Sequence, residues 1–296
     1  MLTDTYDLKT RSGRTVAVWR NAPEEPAPGG PVVVVAPGFG QRMRSAGAMA
    51  LMMVANGATV YRFDSLDHVG ISDGDIHEFC VTALYESLAT VVEDVCVREG
   101  RSRATLVATS LAALPGVQYA AKEGRVDNLV LMLGVVNGRN TLREVLDADY
   151  LDVEHATLPA QVLIDKHWVD PRPIHREHKL VDWWDEPATV TALSNCDMPV
   201  CNFVAVDDDW VDIADVRRAF GSVDRPEPPE IVEVGLSGHA LLRNPVALKA
   251  MMTDVTRRAL ALGADDDVVM PSFEAMVELR GVERELERAH AAGRVA

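Results

Sequence analysis

The chain has 296 residues, 48% of them hydrophobic, and a formal net charge of −16 at pH 7. This length suits one large α/β domain or two small ones, and the apolar residues suffice for a core. The negative charge argues against nucleic acid or an anionic membrane as a partner. The sequence has no run of about 18 or more apolar residues, so a membrane span is not expected.

The four cysteines are far apart in the sequence and include no C-x-x-C pair. This spacing predicts neither a disulfide framework nor a zinc site. The first residues are polar and do not resemble a secretion signal. We therefore expect a protein of the reducing cytoplasm.

Strand and helix patterns alternate along the first half of the chain. A hairpin signal covers residues 5–19, with its turn at Ser12-Gly13. Strands are predicted at residues 32–36, 58–63, 104–109 and 128–133, with helices at 46–55, at 77–98 and after residue 110. This alternation implies a parallel sheet that is built by right-handed crossovers.

The alternation stops between residues 139 and 195. This segment contains four of the eight histidines and three of the five tryptophans, namely His155, His167, His175, His178, Trp168, Trp183 and Trp184. We interpret it as a helical cap that is inserted over the C-terminal edge of the sheet, within a single domain of residues 1–296. The histidines are spaced too irregularly for a metal site. We expect neither a metal ion nor a cofactor.

The alternation resumes after residue 198. Strands are predicted at 199–205 and 231–234, and a helix follows at 245–262. A further helix at 274–291 is amphipathic, with Glu and Arg interspersed, and its charges are expected to be solvated. The predicted fold class is α/β, with a mostly parallel central sheet that is flanked by helices.

An apolar run that begins at Ala104 ends at Ser110, and a helical pattern follows. A strand, a sharp turn with serine at its tip and a helix together make a nucleophile elbow. The elbow needs small neighbours because its flanks approach closely. Ala108 and Ala112 meet this need, although G-x-S-x-G is matched imperfectly. The alternative is a buried strand followed by a serine that only caps a helix.

Two candidate partners of Ser110 follow it in the sequence. An acidic cluster lies at the end of the 199–205 strand, and His239 follows the last strand in a Gly/Ser loop. The order Ser, Asp, His is the one that α/β-hydrolases use. A serine hydroxyl needs an adjacent base, and the base needs a carboxylate that orients it. The alternative for His239 is an ordinary loop residue.

The carboxylate is ambiguous among Asp207, Asp208, Asp209 and Asp212. We choose Asp208 because an aliphatic residue often lies three places after the acid of a hydrolase and anchors the next segment. Val211 has this position. The other aspartates are expected to be solvated or to lie at a helix N-terminus.

An oxyanion hole needs two backbone N–H groups beside the nucleophile. The N–H of Leu111, the residue after the serine, is one candidate. The loop after the 32–36 strand should supply the other, and we assign it to Phe39. The alternative for Gly38 in that loop is that it only permits a tight turn.

Several motifs resemble those of the acyl transferases of bacterial luminescence operons, which are also called acyl-carrier-protein thioesterases. The motifs are Gly38-Phe39 with Arg42-Met43, Phe63-Asp64-Ser65 with His68-Val69-Gly70 and Ser72, Ala108-Thr109-Ser110-Leu111, Gly134-Val135-Val136-Asn137 with Thr141-Leu142, Asp149-Tyr150-Leu151, Asp208-Asp209-Trp210-Val211, and Pro271-Ser272-Phe273-Glu274. The elbow of that family also lacks the flanking glycines. The segment 153–195 matches poorly.

The resemblance implies an α/β-hydrolase that passes a fatty acyl chain from a thioester through Ser110 to water or another acceptor. The donor would be an acyl carrier protein or acyl-CoA, and the family works with companion reductase and synthetase subunits. A carboxylesterase or a chain-releasing thioesterase of secondary metabolism is the alternative enzyme. A catalytically silent hydrolase fold that serves as an assembly subunit is a hypothesis of another class.

Arg42 and Arg44 follow the predicted oxyanion loop and are candidates for substrate binding. A planar guanidinium is well suited to bind the phosphate of a phosphopantetheine arm. The structural alternative for Arg42 is an ion pair with Asp64 or Asp67.

The three tryptophans of the predicted cap, Trp168, Trp183 and Trp184, are also candidates for substrate binding. Their position predicts that they line or close an apolar acyl tunnel. The alternative is that these rings only pack the cap onto the sheet.

Overall fold

The computed structural model describes residues 1–235, 238–239 and 244–293, and this part of the chain contains ten strands and nine α-helices. The strands are β1 (Leu2–Lys9), β2 (Thr15–Ala22), β3 (Val32–Ala36), β4 (Thr59–Phe63), β5 (Ala104–Thr109), β6 (Val126–Met132), β7 (Val162–Ile164), β8 (His167–Val169), β9 (Val200–Ala205) and β10 (Glu230–Val234). The helices are α1 (Gly47–Ala55), α2 (Val81–Arg98), α3 (Ala113–Glu123), α4 (Gly138–Leu146), α5 (Pro171–His178), α6 (Glu186–Ser194), α7 (Ile213–Gly221), α8 (Pro245–Ala259) and α9 (Phe273–Ala291). None of these helices combines the length and the apolar composition that a membrane span requires.

Eight strands form one sheet in the order β1-β2-β4-β3-β5-β6-β9-β10. The six strands from β4 to β10 in this order pair in parallel. The hairpin β1–β2 adds two antiparallel strands at the β4 edge. The α/β class with a mostly parallel sheet, which the alternation of patterns predicted, is confirmed.

The parallel strands are apolar along their whole length because helices cover both faces of the sheet. In β3, Val32 and Val34 pack in one buried cluster with residues of α2 and α3. Val33 and Val35 point to the other face and pack with residues of α1 and α8. Since the strands are parallel, their carboxyl ends lie at one edge, where an open α/β sheet binds its ligands.

The segment 139–195, which lies between β6 and β9, is not purely helical as predicted. Besides helices it contains β7 and β8, an antiparallel pair joined by the two residues Asp165 and Lys166. Asp165 has φ +53°, a conformation that aspartate tolerates in tight turns. Val162 and Ile164 are buried. These strands were missed because three residues are too few for a periodic pattern.

Helix α2 begins at Val81 rather than at residue 77. The carboxylate of Glu177, on α5, accepts hydrogen bonds from the backbone N–H groups of Val81 and Thr82. Such a contact satisfies the free donors at a helix N-terminus. Because the partner lies about a hundred residues along the chain, the local sequence could not indicate this start.

The charges of helix α9 are not all solvated, contrary to the prediction from the sequence, because one of them is buried. Glu283 and Arg62 of β4 are both fully buried, and the Arg62 Nη1 atom lies 2.8 Å from Glu283 Oε1. Arg62 also donates to the carbonyl of Met43 at 2.9 Å. Gly47 makes room, since a Cβ there would lie 2.6 Å from Glu283 Oε1. The helix is therefore anchored to the sheet through a buried ion pair.

Candidate active site

Ser110 lies at the turn between β5 and α3, with a backbone φ of +51°. Residues other than glycine seldom adopt this conformation, which is typical of functional turns. The helix after the turn lies close to the strand before it, since a Cβ on Gly116 would be 3.1 Å from the Cβ of Ala108. The structure therefore has the strand, turn and helix that the sequence predicts around this serine.

Three side chains meet at the carboxyl ends of β5, β9 and β10. Ser110 Oγ lies 2.8 Å from His239 Nε2. His239 Nδ1 lies 3.0 Å from Asp208 Oδ2 and 3.1 Å from Asp208 Oδ1. The side chain of Asp208 is almost fully buried, with 2% of it exposed. Leu236 and Ser237, in the loop predicted before His239, lie outside the described residues.

Asp208 is the aspartate of its cluster that contacts the His239 ring. Its Oδ1 also accepts the backbone N–H groups of Trp210 and Val211, at 2.8 and 2.9 Å. Asp209 instead accepts the backbone N–H of His239, at 3.1 Å. Of the two remaining candidates, Asp207 is exposed and Asp212 is the N-cap of α7. The structure thus brings the chosen aspartate to the histidine.

The loop after β3 lies directly against the Ser110 turn. A Cβ on Gly38 would be 2.9 Å from the carbonyl oxygen of Thr109 and 3.0 Å from the Cβ of Ser110. Only glycine allows this approach without a shift of the backbone. Phe39 and Leu111, the two residues predicted to form an oxyanion hole, line one pocket together with Ser110.

This pocket is apolar and narrow. Among the described residues, its walls include Phe79, Leu142, Val145, Ile164 and Trp210. None of them was predicted as a site residue, although Leu142 and Trp210 lie within the motifs that resemble the family. The Trp210 ring stacks on the His239 ring, with centroids 5.1 Å apart and planes inclined by 5°. The other wall residues carry no signal beyond being hydrophobic.

The tryptophans of the segment 139–195 are not in this pocket, in so far as it is described. Trp184 is fully buried, and its Nε1 donates to Glu177 Oε1 at 2.8 Å, because a buried indole N–H requires an acceptor. Trp183 packs on Tyr85, with centroids 4.9 Å apart. Trp168 is 53% exposed on the outer side of β8. The structure thus places Trp168, Trp183 and Trp184 outside the described pocket, and the packing alternative describes the two buried rings; the role of the three rings in substrate binding stays a prediction.

The structure separates the two candidate arginines. Arg44 Nη1 lies 2.5 Å from Glu287 Oε2 of α9, so its charge is engaged there. Arg42 is exposed, and no described carboxylate lies within 4 Å of its guanidinium. Of its predicted partners, Asp64 accepts two backbone N–H groups and Asp67 pairs with another arginine. Arg42 therefore makes no direct ion pair with a described carboxylate, although burial raises the pKa of the nearby Asp64 and the charge of Arg42 acts to lower it.

One group of described residues has the spacing of possible metal ligands, namely His77, Glu78 and Asp170. The carboxylate of Asp170 already pairs with Arg172, whose Nη2 lies 2.6 Å away. This guanidinium neutralises the carboxylate, so the group is better explained as an ion pair.

A family model described as acyl transferase matches residues 3–290. The chain belongs to this acyl transferase family. It is 31% identical over 292 residues to the acyl transferase of Shewanella hanedai, and the match covers 97% of this chain and 94% of that protein. It is 32% identical over 291 residues to the acyl transferase of Photorhabdus laumondii, with 95% and 94% covered. These relatives come from luminescent bacteria, so the predicted resemblance is confirmed.

Solved structures with a similar fold are α/β hydrolases. Est1E of Butyrivibrio proteoclasticus, solved with ferulic acid bound, has a TM-score of 0.72 at 13% identity and covers 87% of this chain and 98% of its own. An alpha/beta hydrolase from Penicillium has a TM-score of 0.62 at 16% identity, with 88% and 100% covered. At these identities the likeness shows the fold alone. The family, in turn, makes this protein an enzyme of acyl transfer.

Proposed function

We propose that this protein takes a fatty acyl group from a carrier-protein or CoA thioester onto Ser110 and passes it to water or another acceptor. The observation that carries the proposal is the chain of hydrogen bonds from Ser110 Oγ through the His239 ring to Asp208. A serine becomes nucleophilic when an adjacent base takes its proton, and the base works best when a buried carboxylate orients it.

The proposed reaction has two steps. Ser110 Oγ attacks the thioester carbonyl while its proton moves to His239 Nε2. The oxyanion that develops is stabilised by the N–H groups of Phe39 and Leu111. The C–S bond then breaks, and the thiol leaves with the proton from His239. In the second step, water or another acceptor gives its proton to His239 and attacks the acyl carbonyl; the C–O bond to Ser110 then breaks, and His239 returns the proton to Ser110 Oγ.

The pocket beside Ser110 has walls of the kind that suits an acyl group, but its volume is only about 20 Å³, so it would have to widen to admit a chain. Its walls come from α4, β7, the Ser110 turn, the segment before α2 and the loops after β3, β6 and β9, and they are almost wholly apolar. Burying methylene groups of an acyl chain against such walls contributes about 0.8 kcal/mol for each group.

The experiment that tests the nucleophile is intact mass spectrometry after incubation with a series of acyl thioesters. We expect the wild-type mass to rise by one acyl group, and we expect no rise for Ser110→Ala. Ser45→Ala, which changes an exposed serine in the short 3₁₀ helix Met43–Ala46, is the matched control and should acylate like the wild type. An acyl adduct that persists in Ser110→Ala would refute the assignment.

Two further outcomes distinguish the alternatives. If the folded wild type neither acylates nor reacts with a fluorophosphonate, the protein is a hydrolase-fold assembly subunit. If oxygen esters are turned over with a much higher kcat/KM than matched thioesters, the enzyme is a carboxylesterase. The proposal requires the thioester to be the better substrate.

We further propose that Arg42 contacts the phosphate of the phosphopantetheine arm of the donor. The net charge of −16 repels an acidic carrier protein at long range. A local cation that no described carboxylate pairs with would offset this repulsion next to the site. Charge-assisted hydrogen bonds to phosphate suit an exposed guanidinium.

The Arg42 proposal predicts a substrate-dependent loss. For Arg42→Gln we expect kcat/KM on CoA and carrier thioesters to fall by about 5- to 10-fold at low salt. The loss should shrink at high salt because exposed charges are screened. Hydrolysis of a nitrophenyl ester, which lacks the phosphate, should not change. Arg44→Gln is the control, and equal losses in both variants or on both substrates would contradict the proposal.

A further inference from the structure

The loop that holds Phe39 is a four-residue turn. Gln41 N–H donates to the Gly38 carbonyl at 3.1 Å and closes it. Gly40, the third residue, has φ +68°. This combination is that of a type II turn, in which the central peptide is flipped relative to the commoner type I. The hydrogen bonds of the central peptide, between Phe39 and Gly40, therefore decide the orientation of the backbone N–H and carbonyl groups in the turn.

The central peptide is held by His68, which lies in the loop after β4. The N–H of Gly40 donates to His68 Nε2 at 2.9 Å. The His68 ring also meets the Phe39 ring edge to face, with centroids 5.8 Å apart. His68 therefore contacts both the backbone and the side chain of the turn.

The loop that carries His68 is itself tied to the strands and to the segment after the turn. Asp64 Oδ1 accepts the backbone N–H of Met43 at 2.6 Å, and its Oδ2 accepts the N–H of Ile71 at 2.9 Å. Ser72 Oγ donates to the Asp64 carbonyl at 2.6 Å. The backbone of the loop that carries His68 is thus held by several hydrogen bonds, which fix the position of His68 relative to the turn.

We infer that His68 is a positioning residue that fixes the Phe39–Gly40 peptide and thereby aims the Phe39 N–H at the acyl oxygen. The inference rests on the proposed function of Ser110. The turn is held at two points, by Gly38 against Ser110 and by Gly40 on His68, and the Phe39 N–H lies between them. A donor that is already oriented stabilises the transition state without reorganisation, which is what an oxyanion hole requires.

The acceptor role requires a neutral imidazole with its proton on Nδ1. Burial lowers the pKa of His68 to about 4, and the neighbouring His167 contributes in the same direction. The ring is therefore neutral throughout the neutral range, and the Gly40 N–H, which can only donate, assigns the lone pair to Nε2.

The experiment compares three variants of the same ring cluster. His68→Leu removes the acceptor, whereas the side-chain oxygen of His68→Gln can still reach the Gly40 N–H. His167→Leu is the matched control, because the His167 ring also meets Phe39, at 6.0 Å, but accepts no hydrogen bond from the Gly40 N–H. For each variant, kcat and KM are measured with a thioester, together with inhibition by a trifluoromethyl ketone that forms a tetrahedral adduct.

We expect His68→Leu to lose about 10- to 100-fold in kcat with little change in KM, because only transition-state stabilisation is lost. Affinity for the trifluoromethyl ketone should fall by a similar factor. His68→Gln should recover most of both, and His167→Leu should stay within about 3-fold of wild type. If His68→Leu has wild-type kcat, or if His68→Gln loses as much as His68→Leu, the inference is overturned.

A second measurement covers the case in which His68→Leu does not fold. Nitrogen NMR of the wild type should show His68 protonated on Nδ1, with Nε2 as acceptor from the Gly40 amide. The opposite tautomer would overturn the inference. Failure of the proposed function is distinguishable, since the wild type would then form no acyl adduct on Ser110 in the mass experiment.

Discussion

Two residues of the same type, both aspartates, have different roles at this site. Asp208 and Asp209 are adjacent aspartates, but Asp208 contacts the imidazole of His239 and Asp209 contacts its backbone. Asparagine keeps an oxygen acceptor but loses the negative charge. The charge matters only where an imidazolium forms during the reaction, so substitution of the two aspartates should have unequal effects.

We predict that Asp208→Asn lowers kcat by about two to four orders of magnitude, because the imidazole loses its orientation and its counter-charge. Asp209→Asn should lower it less than about 3-fold, since the N–H of His239 keeps its acceptor. Steady-state kinetics with one thioester measures both. Equal and mild losses in the two variants would mean that another acid supports the histidine.

At the scale of elements, helix α9 depends on the buried pair of Glu283 and Arg62. Burial lowers the pKa of Arg62 and opposes its charge, whereas Glu283 raises the pKa and supports the charge. Removing one partner of a buried pair leaves the other charge uncompensated, and this costs more than the loss of an exposed pair.

We predict that Glu283→Leu destabilises the protein by about 3–5 kcal/mol, measured as the free energy of unfolding in urea. Glu287, on the same helix, is the ion-pair partner of Arg44 and is more exposed than Glu283. Glu287→Gln should therefore cost no more than about 1 kcal/mol. The double variant Glu283→Leu with Arg62→Met should recover much of the loss. Equal effects of Glu283→Leu and Glu287→Gln would show that the buried pair does not anchor α9.

At the scale of the whole molecule, two buried groups in one loop make stability depend on pH in opposite directions. The pKa of His68 is lowered from 6.5 to about 4, so acidification below pH 6.5 protonates the unfolded state first and destabilises the fold. Burial raises the pKa of Asp64 from 3.8 to about 6, despite two N–H donors. Between pH 6 and pH 4 this carboxyl is protonated in the folded state before it is in the unfolded state, so acidification stabilises the fold through Asp64.

We predict that, between pH 7 and pH 5, His68→Gln loses about 2 kcal/mol less stability than the wild type. Asp64→Asn should lose about 1 kcal/mol more than the wild type over the same interval. Urea unfolding at the two pH values measures these differences. If both variants follow the wild-type pH dependence, the two groups do not titrate as their burial implies.

The sequence by itself determined the fold class, the family and the order of the candidate residues along the chain. Buried strands of a parallel sheet are apolar runs, and turns with close approach need small residues, so both leave local patterns. Ser110 was found from such a pattern. Asp208 was selected from four aspartates by its spacing to Val211, and the structure brings it to His239.

Only the tertiary structure decided which side chains meet. Trp184 was predicted to line a tunnel, but its N–H is bound by Glu177 in a packed interior. His68 lies in a motif, yet its contact with Gly40 depends on two loops that follow different strands. Glu283 reads as a solvated helix charge, but it is buried on Arg62, 221 residues away in the chain. These contacts join distant parts of the chain, and no local periodicity records them because each partner is supplied by a separate element.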